Sequence, residues 1–141
     1  MLISGHTCVD EKEPLLEEIE EIKEYHFHVY FFQENKESRE AAVKLRNKII
    51  ELIAKGFFNP GSYEVWCPKE HFSRVYSWFL LHRGELSVMV HPLTINEVKD
   101  HTENVTWMGK SIPLDIAQLS DKLPEVPAQY PELKMGYSAP K

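Results

Sequence analysis

Between Tyr25 and Pro92 the apolar pattern switches between a period of two and a period of 3.6, and that succession limits the available folds more than composition does. Residues 25–32 (Tyr-His-Phe-His-Val-Tyr-Phe-Phe) are aromatic and β-branched and read as a central strand. Asn35 then stands where a helix cap belongs. Glu37 and Glu40 fall early, Lys48 and Lys55 late and Gly56 at the stop, while Ala42, Leu45, Ile49 and Leu52 form one apolar stripe. Phe57-Phe58 reads as a short strand before an Asn59-Pro60-Gly61 turn, and residues 62–67 as a further strand. Pro68 opens a second helix, whose Phe72, Val75, Tyr76, Phe79 and Leu80 share a face and which Gly84 ends. Residues 86–91 make the last strand, stopped by Pro92. The order is βαββαβ, which predicts an α+β, ferredoxin-like sandwich with an antiparallel sheet and two helices on one face. In that arrangement the first and third strands are central, the fourth lies beside the first, and the second sheet face is left for a site or a partner.

The flanks differ from this core. The chain has 141 residues and a net charge of −6. Residues 10–24 hold eight acidic groups and two lysines, which accounts for all of that charge, so residues 1–23 read as an acidic N-terminal extension ahead of a domain spanning 24–110. Within the extension Leu16, Ile19 and Ile22 recur at helical spacing after Pro14, against the simpler reading of a solvated arm. Five of the nine prolines follow residue 110, and 111–141 reads as an extended, Pro-rich tail. The balanced core offers no phosphate-neutralising surface, which argues against nucleic-acid binding. No apolar run is long enough for a membrane span, and the first residues lack a secretory pattern. Cys8 and Cys67 fit free thiols in a reducing compartment, so the expected location is cytoplasmic.

Alternation along the strands sorts their side chains. Tyr25, Phe27, Val29 and Phe31, with Tyr63, Val65, Cys67, Leu86, Val88 and Val90, belong to the helix-covered face. The open face collects His26, His28 and Tyr30, then Glu64 and Trp66, then Met89 and His91. Two imidazoles spaced i, i+2 on a strand stand roughly 7 Å apart, near enough to share one metal ion. Two solvated residues on an exposed sheet would give the same pattern. Glu64 and His91 on adjacent strands favour the metal reading, because neutral nitrogens plus one carboxylate, with positions left open, suit non-haem Fe(II), with Zn as the alternative. His26, His28 and His91 are the expected metal ligands and Glu64 a ligand or a base. His101 is expected on a loop beyond the sheet as a mobile acid/base, and Tyr30 and Trp66 as substrate contacts. His6, His71 and His82 receive no role, and Trp107 reads as packing.

Tyr25-His26-Phe27-His28-Val29-Tyr30-Phe31, Arg83-Gly84-Glu85-Leu86-Ser87-Val88-Met89-Val90-His91-Pro92-Leu93-Thr94, Asp100-His101-Thr102 and Trp107-Met108-Gly109, in that order, resemble the DOPA 4,5-dioxygenase family. The resemblance covers about residues 24–110. It implies a ferredoxin-like fold, a divalent metal and extradiol cleavage of a catechol such as DOPA by O₂. A homodimer is the expected assembly. One departure stands out: where the family carries Gly-Pro-His-Pro before the third strand, this chain has Phe57-Phe58-Asn59-Pro60 and then Gly61, so Asn59 takes the histidine's place and is expected to contact substrate rather than shuttle protons. A binding homologue without turnover is therefore the competing expectation, and a structural homo-oligomer using the open face is a third.

Overall fold

The computed structural model describes residues 21–53, 59–61 and 64–141. Leu16, Ile19, Gly56, the Phe57-Phe58 strand and Tyr63 lie outside the described residues. The chain forms strand β1 (Glu24–Tyr30), helix α1 (Lys36–Ile53), β2 (Asn59–Gly61), β3 (Glu64–Pro68), helix α2 (Phe72–His82), β4 (Ser87–Pro92), a one-turn helix α3 (Glu97–His101) and β5 (Thr106–Met108). The sheet order is β2-β3-β1-β4-β5, and every pairing is antiparallel. With β1 and β3 inside and β4 beside β1, this is the expected ferredoxin-like arrangement with one added strand.

Both helices cover the same sheet face. Ala42, Leu45 and Ile49 of α1 and Val75 and Phe79 of α2 pack on Phe27, Val29, Val65, Cys67, Val88, Val90 and Met108. Phe27 and Phe79 stack with centroids 5.1 Å apart, at the centre of the apolar layer that drives the fold. The helix boundaries have local causes. Asn35 Oδ1 accepts the Ser38 N–H at the start of α1, and Gly84 takes a left-handed φ of +58° just after α2, where any side chain would be strained.

Three elements depart from the sequence reading. Asn59-Pro60-Gly61 is an edge strand paired with β3, not a turn; a proline is tolerated there because an outer strand need not donate on both sides. Pro68 closes β3 with extended backbone instead of opening α2, and one 3₁₀ turn (Lys69–His71) comes between them. His101 sits at the end of α3 rather than on a loop, because Asn96 caps that turn through the Lys99 N–H. No helix among the described residues is long and apolar enough to cross a membrane.

Candidate metal centre

Strand register brings the polar side chains of the second face together. His26 pairs with Trp66 on one side and His91 on the other, and His28 pairs with Glu64 and Met89. One ring nitrogen from each of His26, His28 and His91 lies within 4.8 Å of the others. His28 Nε2 and His91 Nε2 are 3.0 Å apart. Glu64 flanks the group on its His26 and His28 side, with Oε1 3.3 Å from His26 Nδ1 and Oε2 3.5 Å from His28 Nε2.

The far sides of two rings are already satisfied. His91 Nδ1–H donates to the Pro92 carbonyl (2.8 Å), and His26 Nε2 is hydrogen-bonded to the Gln129 side-chain amide (2.9 Å). A neutral imidazole carries one hydrogen, so His91 Nε2 is left as a lone pair facing the shared space. Burial holds these rings neutral: His28 is pushed down to about 3 and His91 to about 2, by desolvation first and by neighbouring imidazoles second. His26 is lowered as well, chiefly by burial, against the opposing pull of Glu64. His91 Nε2 accepts from His28 Nε2–H at 3.0 Å, and a cation entering the group would replace that hydrogen as the partner of the His91 lone pair. Three neutral nitrogens and a carboxylate are a donor set that fits Fe(II) or Zn.

His101 stands over this cluster. Its ring centroid is 3.9 Å from that of His91 and 6.2 Å from that of His28. Its Nδ1–H donates to the Glu97 carbonyl (2.8 Å), which leaves Nε2 as a free acceptor. The buried Asp100 carboxylate fixes α3 by accepting the Thr94 N–H and hydroxyl at 2.8–2.9 Å.

A sequence model of the Dopa 4,5-dioxygenase family matches residues 25–118. The chain belongs to the DOPA 4,5-dioxygenase family. Among its relatives, "DOPA 4,5-dioxygenase" of Amanita muscaria is 44% identical over 135 residues, covering 84% of this chain and 59% of that protein. An uncharacterized 21.2 kDa protein of Botryotinia fuckeliana is 34% identical over 110 residues, covering 64% of this chain and 60% of the relative. This family member thus spans about three-fifths of the length of the curated relatives it matches. The crystal structure of a "putative dioxygenase" from Nostoc punctiforme superposes with a TM-score of 0.52 at 27% identity, covering 72% of this chain and 90% of that one.

Of the residues singled out in the sequence, His26, His28, Glu64, His91 and His101 converge. Tyr30 lies to one side, its ring 5.4 Å from Trp107. Trp66 is buried under Tyr130 (5.0 Å between centroids), and its indole N–H donates to Glu24 Oε2 (2.8 Å). Asn59 stands opposite Trp66, two strands from His26 in the same cross-sheet row. Glu24, counted in the sequence with the acidic run 10–24 and placed at the start of the domain, is buried as the first residue of β1, where it accepts the Trp66 N–H and the Tyr137 backbone N–H. Sequence reasoning missed Gln129, Tyr130 and Tyr137, which reach the site from an irregular segment without any periodic signal. Asp100 was visible only as the neighbour of His101.

Proposed function

We propose that this chain is an Fe(II)-dependent extradiol dioxygenase acting on a catechol such as DOPA. The observation that carries the proposal is the convergence of three neutral imidazole nitrogens and one carboxylate on the open sheet face of a DOPA 4,5-dioxygenase family member. Extradiol cleavage adds both atoms of O₂ across a ring C–C bond beside the hydroxyl pair and needs no further reductant. Iron held by His26, His28 and His91, with Glu64 as fourth ligand or adjacent base, would supply Lewis acidity to the catechol oxygens and an electron route between ring and O₂.

The protein's own groups divide the remaining work. The free Nε2 of His101 accepts the proton that a catechol hydroxyl loses on binding and returns it during ring opening. Glu64, the most solvent-accessible member of the cluster, connects it to bulk water for proton exchange. Tyr30 and Trp107 offer an aromatic wall for the substrate ring. Tyr130 over Trp66 keeps water from the His26 side.

A second reading, a metal- or small-molecule-binding homologue without turnover, has Asn59 in its favour, because an amide cannot replace a histidine in proton transfer. Anaerobic loading with Fe(II), followed by metal analysis and O₂ uptake with DOPA, tests both readings. One iron per chain in the wild type, loss of iron in His26→Ala and His28→Ala, and O₂ consumed one-to-one with catechol are the expected results. Full metal content in either mutant would overturn the ligand set. An iron-loaded protein that takes up no O₂ with any catechol would establish the second reading.

A further inference from the structure

We propose that Asp100 is a positioning residue for ring cleavage: its carboxylate ties α3 to the end of the strand that carries His91, and so holds the His101 ring over the cluster. The proposal rests on His101 as the proton-transfer group for its purpose, though not for its geometry.

Helix α3 has five residues, too few to hold itself together, so its place is set by bonds to the rest of the chain. One set runs to the irregular segment that follows the sheet. There Glu97 Oε2 accepts the Ser120 N–H (2.9 Å), and the Ser120 carbonyl accepts the Val98 N–H (3.4 Å). The other set runs back to β4. Asp100 Oδ2 accepts the Thr94 N–H (2.8 Å), and the Thr94 hydroxyl stands 2.9 Å from both carboxylate oxygens. Thr94 comes just after Leu93, the first residue beyond β4, so this bond alone among the two sets joins α3 to the strand that bears His91. The His101 ring travels with α3, because its Nδ1–H is bonded to the Glu97 carbonyl (2.8 Å). Its centroid lies 3.9 Å from that of His91.

The chemistry of the joint points to placement rather than stability. Asp100 is 2% exposed, and the donors that meet it, an N–H and a hydroxyl, are neutral. Burying a carboxylate on neutral donors is a costly way to hold a loop, and an apolar side chain of similar size would do that with less desolvation. What the carboxylate adds is direction. Its two oxygens take the N–H and the hydroxyl of one residue together, and an amide offers only one acceptor. The network then returns to α3: the Thr94 hydroxyl also accepts the Asn96 N–H (3.1 Å), and Asn96 Oδ1 accepts the Lys99 N–H (2.9 Å).

The test is a double-mutant cycle of Asp100 against His101, with Asp100→Asn, which keeps one acceptor, beside Asp100→Ala. In iron-loaded protein at saturating catechol, Asp100→Ala should lower kcat about 10- to 100-fold and Asp100→Asn by less, with KM and iron content close to wild type. In a His101→Ala background the same substitutions should change the residual kcat less than about twofold, because no ring is left to place. In metal-free protein, the nuclear Overhauser effect between the His91 and His101 ring protons should be present in the wild type, weakened in Asp100→Asn and absent in Asp100→Ala. Losses that simply multiply in the double mutant, or ring proximity retained in Asp100→Ala, would overturn the proposal. Should Asp100→Ala fail to fold, Asp100→Asn and Thr94→Val, which each leave part of the joint in place, carry the same cycle and the same criteria. A wild type that takes up no O₂ with any catechol would instead overturn the proposed function, and the ring proximity would still decide whether Asp100 places His101.

Discussion

Gly136→Ala should detach residues 129–138 from the sheet without unfolding the domain. Gly136 is buried with φ +61°, and a Cβ there would lie 2.5 Å from Glu24 Cγ and 2.6 Å from Glu24 Oε1. Glu24 cannot yield cheaply, because its carboxylate also holds the Trp66 indole N–H and its backbone carbonyl accepts the Leu93 N–H. The left-handed conformation costs an alanine about 1–2 kcal/mol. Losing the Tyr137 N–H bond to an ionised acceptor adds about 1.5–3 kcal/mol, for a total of about 2.5–5 kcal/mol. Gly84→Ala is the matched control, since Gly84 has nearly the same φ (+58°) with nothing within 4 Å of the added methyl, and should cost only the conformational part. Hydrogen exchange should show protection lost selectively across 129–138 in Gly136→Ala, and urea titration should separate the two alanine variants by more than about 1.5 kcal/mol. Equal destabilisation of the two, with 129–138 still protected, would refute the argument that Glu24 anchors this segment.

Phe79→Ala, which removes a fully buried ring stacked on Phe27, should cost about 3–5 kcal/mol in chemical denaturation. Metal-free protein should lose stability as pH falls. His28 and His91 are held near 3 and 2 when folded but titrate near 6.5 unfolded, so below about 6.5 the unfolded state binds the extra protons; each adds up to about 1.4 kcal/mol per pH unit, readable as a falling melting temperature. His101→Ala should lower iron-loaded turnover about 10²- to 10⁴-fold at saturating catechol while Asn59→His changes it little, because His101 touches His91 and Asn59 stands two strands from His26. The opposite pattern in O₂-uptake rates would move the proton-transfer role to position 59.

The sheet and the core of the site were legible because strand alternation is a two-state code. Once Phe27 and Val29 are assigned to the helix face, His26 and His28 have no other face to occupy, and the same logic places Glu64 and His91. The code fails where elements are too short to repeat. β5 has three residues and α3 five, so neither shows a period, and His101 reads as a loop residue although a capped turn carries it. It fails again in 111–141, where Gln129 and Tyr137 act through hydrogen bonds that leave no periodic pattern. Glu24 is legible only in part: it ends the acidic run 10–24 at the start of the domain, and only its strand parity with His26 marks it as facing the site's side of the sheet.

The three imidazoles also bear on how the native state is held together. His28 and His91 meet across a sequence separation of 63, and Glu64 joins from a third strand, so the unfolded chain offers an ion little more than the lone His26-x-His28 pair. An ion taken up after β3 and β4 have paired with β1 would act as a removable cross-link closing long loops, stabilising the folded chain by mass action in proportion to the logarithm of its free concentration. Chelation would then do more than silence a site. It would remove a staple from the middle of the sheet, and the chain's lifetime would follow the supply of metal around it.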